Sequence, residues 1–407
     1  GAKEEHGVAR PIAPVRRPGS AYGRPTRRRR SPRRSQLFVR VVLALVATFV
    51  FVTGWSVTHA LTYPGGGTVS QRVAEWARNH YLGPLVTFGE WLSYNPPKRG
   101  GKPPINFNKQ GGGTVHKEKH YYLGIKPIVP ANLASPAGPN LPGEGVWKVA
   151  VSVHHDPAVF KTYLRQSKTY SSYYVGIASM DQRLLKFDLR PGTEDPGYGN
   201  WGAPMDIPSG HRLGLVATFN SGFRVNASGG GFYLNGHYDG SLVNGEASEV
   251  FYKNGQMTIG TWGRGPLHMG PTIAGVRQNL KLIVSHGQVP ATVDQNVLSS
   301  WGATLGGGYN VWRSAIGISK DGHRLIYVYG AALDVRTLAD LLKRAGAYTG
   351  MELDINPDWM SFMYYLPKNN PANPTPVKLL GGAGGQIQPA DRYYYISNRD
   401  FTAVFSR

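Results

Sequence analysis

The sequence predicts an α+β fold, a mixed, strand-rich domain with few helices, preceded by a single transmembrane helix. Three observations carry this expectation. Gly and Pro supply 53 and 30 of the 407 residues, a composition that favours short strands and turns over a helical bundle. From Val146 onward short β-like runs recur, punctuated by Gly, Asn and Asp. Upstream, Val41–Leu61 is an apolar run with no formal charge.

That run has 21 residues. As a helix it would rise about 31 Å, the thickness of a hydrocarbon core. Arg27–Arg34 (RRRRSPRR) precedes it, and Thr62, Tyr63 and a Pro-Gly-Gly-Gly run follow. Cations on one side only place the N-terminus in the cytoplasm, with the rest of the chain beyond the plasma membrane. A 40-residue leader and the lack of an A-x-A site favour an uncleaved signal anchor over a cleaved peptide. Residues 1–40 hold twelve Lys/Arg and two Glu, so they supply +10 of the net +21 and read as a disordered basic tail. With the densest charge there, no nucleic-acid partner is expected. A mildly basic outer domain suits anionic envelope polymers instead. There is no cysteine, which excludes disulfides, thiolate metal sites and cysteine nucleophiles.

After the anchor, residues 62–94 read as an amphipathic stalk. Thr68-Val69-Ser70-Gln71 is a capping box, and Gly83-Pro84 breaks or kinks the helix it opens. Residues 95–145 form a Pro/Gly-rich linker, flexible by composition. Residues 146–407 form the main domain. Its strand-like runs include Trp147–Val153, Tyr173–Ala178, Leu184–Leu189, Leu213–Phe219, Val250–Tyr252, Met257–Trp262, Arg324–Tyr329 and Phe401–Phe405. Asn254-Gly255 and Asp321-Gly322 mark hairpin turns. Val335–Ala345 carries Leu338, Leu341 and Leu342 at helical spacing with Gly346 as its stop, and a second short helix is expected near Asp358–Tyr365.

Several segments could carry chemistry. In Ala217–Phe223 (ATFNSGF) a strand runs into a tight turn that presents Asn220 and backbone N–H groups near Gly222. In Met351–Asn356 (MELDIN) a strand would put Glu352 and Asp354 on one face, suited to acid–base work, to arginine pairing or to a divalent cation, although no cofactor is required; Asn356 follows. Arg224, Arg264, Arg277 and Arg313 lie beside Gly-rich turns and offer bidentate donors to phosphate or carboxylate. His268, between two prolines, is a candidate base or phosphate contact. For each of these, a turn, a salt bridge or a surface position is the plainer alternative. No P-loop, dinucleotide fingerprint, G-x-S-x-G elbow or HExxH is present, which argues against ATPase, dehydrogenase, serine-hydrolase and zincin chemistry.

The order of these pieces, from FNSGF through WRSAIG, the Asp-Gly hairpin and a Leu-Ala helix ending in Ala-Gly-Ala to ELDIN, resembles the phosphodiester glycosidase domain, the family of N-acetylglucosamine-1-phosphodiester α-N-acetylglucosaminidase. The resemblance spans roughly Leu213 to Phe405 and looks like a bacterial envelope branch. It departs from the family pattern at Asn-Ser-Gly, where Asn-Gly-Gly is usual, and at Leu-Asp-Ile-Asn, where Leu-Asp-Gly-Gly is usual. It implies roles for Asn220, Gly222, Arg313 and Asp354. It also implies a hydrolase that cleaves sugar-1-phosphodiesters of envelope glycans. The alternatives are a glycan binder or a scaffold that keeps the fold without turnover.

Overall fold

The computed structural model describes residues 32–62, 68–116, 120–295, 300–302, 310–368 and 370–407. The chain divides into two units, Gly1–Thr58 and His59–Arg407. α1 (Pro32–Thr62), whose last four residues belong to the second unit, is one continuous helix, long and apolar enough to cross a membrane or to serve as a signal sequence. Most of the basic tail, residues 1–31, lies outside the described residues.

After the end of α1, the second unit continues with two short helices, α2 (Val69–Asn79) and α3 (Gly83–Ser93). Thr68 and Gln71 close the expected capping box: the Thr68 N–H donates to Gln71 Oε1 at 2.7 Å and the Gln71 N–H to Thr68 Oγ1 at 3.3 Å. Gly83-Pro84 opens α3, where the missing proline N–H costs nothing, so the stalk folds as a hairpin of two helices.

Three antiparallel sheets form the rest. The largest holds β1 (Lys148–Val153), β2 (Asp156–Arg165), β3 (Tyr174–Asp181), β13 (Arg324–Leu333), β12 (Val311–Ile318), β14 (Thr349–Glu352) and β11 (Leu282–Val284), in that order. The second runs β16 (Thr375–Lys378), β15 (Phe362–Leu366), β5 (Leu215–Asn220), β17 (Phe401–Ser406), β4 (Leu185–Arg190). The third runs β7 (His237–Asp239), β6 (Phe232–Leu234), β10 (Ile273–Gln278), β8 (Ala247–Tyr252), β9 (Met257–Thr261).

Both faces of the large sheet are covered, which explains why β3 and β13 read as nearly continuous apolar runs. Leu325, Tyr327 and Tyr329 join the core shared with Phe219 and Phe362 of the second sheet, while Ile326 and Val328 point the other way. There they meet α4 (Val335–Arg344), whose Leu338, Leu341 and Leu342 are buried. Asp334 caps α4 by accepting the Thr337 N–H at 2.7 Å, and Gly346, at φ +106°, lets the chain turn back after it.

The helix expected near Asp358–Tyr365 is not formed. Those residues lead into β15 instead, because Phe362 and Tyr364 bury into one core while Met363 and Tyr365 bury into another. That alternation fits a strand and not a helix. Among its described residues the Pro/Gly-rich segment 95–145 forms only two short 3-10 turns, Phe107–Lys109 and Tyr122–Gly124, yet it is pinned. Gly113 bridges Val149 of β1, Phe107 is buried, and Lys148 Nζ donates to the carbonyls of Asn108 and Gln110 at 2.9 and 2.6 Å.

Candidate functional site

Asn220, Arg313, Glu352 and Asp354 lie together where β5 and β14 end and β12 begins. Asn220 closes β5 and is buried. Its Nδ2 donates to Ser314 Oγ at 3.1 Å and to the Ser221 carbonyl at 2.9 Å, and its Oδ1 accepts from Tyr327 Oη at 2.6 Å and the Ser361 N–H at 3.1 Å. Two donors and two lone pairs are all a carboxamide has. Asn220 therefore braces the second sheet to the large one and keeps no donor for a ligand, which corrects its expected role as a substrate contact. Gly222 is required by a close approach, because a Cβ there would lie 2.8 Å from Asn279 Cγ. Asn279 in turn accepts the Phe223 N–H and donates to the Glu352 carbonyl, tying the Asn-Ser-Gly turn to β14.

The two carboxylates do not share an environment. Glu352, the last residue of β14, is fully buried, and its Oε1 is 2.5 Å from Arg313 Nη1. Arg313 is equally buried and also donates to the carbonyls of Leu333 and Trp301. Burial pushes the Glu352 carboxyl up to about 7 against the pull of Arg313. Arg313 is thus a structural cation, and its expected contact with a departing phosphate is corrected by its full enclosure.

Asp354 lies beyond the strand. Its N–H donates to the Ser221 carbonyl at 3.1 Å, and its own carbonyl accepts from Ser314 Oγ at 2.7 Å. Its carboxylate accepts the Asn356 N–H at 2.9 Å and Arg399 Nη2 at 3.1 Å. Burial raises its pKa, and the Arg399 guanidinium opposes the rise. Burial thus makes this carboxylate more basic than a free one, with Arg399 as the counter-charge. Each of the two carboxylates is paired with a guanidinium, Glu352 with Arg313 and Asp354 with Arg399.

Arg399 belongs to no motif in the sequence. It sits in the triplet Asn398-Arg399-Asp400 just before β17, and it also donates to the Gly222 carbonyl at 3.2 Å and lies over the Trp359 ring. From it a chain of charges continues inward. Asp195 Oδ2 is 3.6 Å from Arg399 Nε and 3.5 Å from Arg277, and Arg277 Nε donates to Asp400 at 2.6 Å. Arg277 is fully buried in this network, so its expected contact with an anionic ligand is likewise corrected to a structural pairing.

Arg224 is the guanidinium nearest the surface of this cluster. Burial, then the charge of Arg399, pushes it down to about 10. It pairs with Glu75 of α2 and donates to Asn79 Oδ1 at 2.7 Å. Glu75 is only 3% exposed, so the stalk hairpin presents a carboxylate directly to Arg224. Arg78, which also pairs with Glu75, lines a cavity of about 500 Å³ together with Tyr94, Tyr173, Trp312, Asn356 and Asp358 among others. Arg264 and His268 do not join the cluster. Both are exposed on the loop after β9, and His268 lines a separate cavity with Tyr238, Trp262 and Met269. Their expected site roles are corrected by that separation. Trp201, Trp262, Trp301 and Trp359 are core residues, whereas Trp312 faces the cavity.

No family model matches the chain, and no curated protein matches it in sequence. Solved structures do match. The catalytic domain of zebrafish N-acetylglucosamine-1-phosphodiester alpha-N-acetylglucosaminidase, auto-inhibited by its pro-peptide, aligns at 12% identity and a TM-score of 0.39, covering 64% of this chain and 88% of that one. A hypothetical protein from Synechocystis aligns at 12% identity and a TM-score of 0.33, covering 64% of this chain and 65% of that one. These are distant likenesses of fold, and they assign no activity to this chain.

Proposed function

We propose that the chain is a membrane-anchored hydrolase, facing outward from the plasma membrane, that cleaves sugar-1-phosphodiester linkages in anionic cell-envelope glycans. The observation that carries this reading is Asp354, an arginine-held carboxylate that feels a second guanidinium and whose chain neighbours Ile355 and Asn356 line an aromatic cavity. The motif order described above supports the same class.

Cleavage at the anomeric carbon expels a phosphate monoester, already a stable anion, so the demand for a strong general acid is low. Asp354 takes a proton from water as the water oxygen bonds to the anomeric carbon. The bond from that carbon to the phosphate oxygen breaks, and the phosphate keeps the electron pair. Arg224 and Arg399 supply the positive field against which the developing charge is stabilised. Tyr94, Tyr173 and Trp312 offer faces for sugar rings, with Asn356 and Asp358 for hydroxyls.

A second reading, a glycan binder without turnover, is favoured by one feature: Glu75 already occupies Arg224. The two readings separate in one assay. The full chain, in detergent, is given a GlcNAc-1-phosphodiester, and released sugar is measured. Turnover that disappears in Asp354→Asn supports the hydrolase. Turnover equal in the variant, or none in either, removes it, and saturable glycan binding in the latter case selects the binder.

A further inference from the structure

The helix α3 has two unlike faces. Glu90 turns toward α2 and pairs with Arg78. On the opposite side Leu85 and Leu92, seven residues apart, are 66% and 65% exposed, and Phe88, between them, shares that face and is 57% exposed. Such apolar area laid out along two helical turns is not explained by the fold of the outer domain. Immediately after it the chain carries Lys98, Arg99 and Lys102, all exposed and with no acidic residue between Leu92 and Lys102. This cationic strap is fixed to the domain, since the Lys98 N–H donates to Tyr173 Oη and the Gly100 N–H to the Thr169 carbonyl.

We infer that α3 is an interfacial helix: Leu85, Phe88 and Leu92 seat in the headgroup–acyl boundary of the membrane that α1 crosses, and Lys98, Arg99 and Lys102 bind its anionic headgroups. The inference rests on the anchor reading given above. Connectivity supports it, because only residues 63–68 separate α1 from α2. Six residues reach at most about 20 Å, so a bilayer holding α1 keeps the hairpin within touching distance. An apolar helical face flanked by Lys and Arg is the chemistry that associates with an anionic bilayer surface. The partner is therefore a lipid surface and not a peptide groove. Because the strap is hydrogen-bonded to the domain, seating α3 also fixes how the cavity beside Tyr94 faces the layer above the membrane.

The chain has no cysteine, so single-cysteine labelling is unambiguous. The full chain is reconstituted into phosphatidylcholine vesicles with or without phosphatidylglycerol, carrying an environment-sensitive fluorophore at Leu85→Cys or Leu92→Cys. Lipids brominated near the headgroup serve as quenchers. The expected result is about a twofold loss of fluorescence at both positions in anionic vesicles, less in zwitterionic ones, and little at Tyr198→Cys on the outer domain. Reversal of the strap (Lys98→Glu, Arg99→Glu, Lys102→Glu) lowers the quenching to the zwitterionic level. Absence of quenching at 85 and 92 overturns the inference. Oxidative dimers at those positions would then assign the face to a second copy. A Val46→Cys label with deep-brominated lipid reports separately on the anchor. Quenching at 46 but not at 92 sinks only the interfacial helix. Quenching at 92 but not at 46 keeps the interfacial helix and removes the span.

Discussion

Two arginine–carboxylate pairs sit a few residues apart, and they differ in kind. Arg313–Glu352 is sealed, with neither side chain exposed, and Arg313 also donates to the backbone carbonyls of Leu333 and Trp301. Arg399–Asp354 retains 8% and 7% exposure, and the residues that follow Asp354, Ile355 and Asn356, line an aromatic cavity. The same chemical pair serves as a brace in one place and as a candidate reacting group in the other. The difference lies in access to water and in what fills the remaining valences.

The sharpest test of the contrast is Asp354→Asn. It removes the base but preserves shape, so turnover of a glycosyl phosphodiester should fall about 10³-fold or more while the melting temperature stays near that of the parent. Arg313→Met should do the reverse. It leaves Glu352 buried without its cation, and urea titration should show a loss of about 3–5 kcal/mol, whereas adding Glu352→Leu should recover much of it. Equal effects of both variants on turnover and stability would erase the distinction.

A third carboxylate extends the comparison. Glu249 is fully buried, faces Arg277 in register, and neither of its oxygens has a hydrogen-bond partner. Burial pushes it up to about 8 from an ordinary 4.5, with Arg277 opposing. A carboxyl raised in the folded state contributes its stability fully below pH 4.5 and loses it as pH rises through 8. Glu249→Gln should therefore flatten the stability profile across that window and gain roughly 1–3 kcal/mol at pH 8 relative to pH 5, read by denaturant titration at both values. The smallest expected effect is at the rim. Glu75→Gln weakens the internal partner of Arg224, so inorganic phosphate should bind about three- to tenfold more tightly, as measured by calorimetry.

The sequence shows these pairs unevenly. Alternation and turn residues expose the strands, the two hairpins and α4, since those depend on local spacing. Asn220, Arg313 and Asp354 stand out by motif, yet their different jobs do not, because three of the four partners that fill Asn220 come from Ser314, Tyr327 and Ser361, at least 94 positions away. Arg399 carries no local pattern beyond the polar triplet before β17, and its significance arises only when Gly222, Asp195 and Asp354 surround it. His268 and Arg264 mislead for the converse reason: a side chain suited to chemistry says nothing about where its loop goes.

The pinned segment upstream of β1 has a practical consequence. β1 is the outer strand of the large sheet, and the bridge from Gly113 to Val149, with Phe107 buried nearby, covers part of that border. Composition alone would invite excision of the folded domain at residue 146. A chain cut there would lose this cover and leave unpaired backbone groups beside freshly uncovered apolar surface, a template for association between molecules. A soluble fragment that stays monodisperse is therefore expected to begin upstream of Phe107.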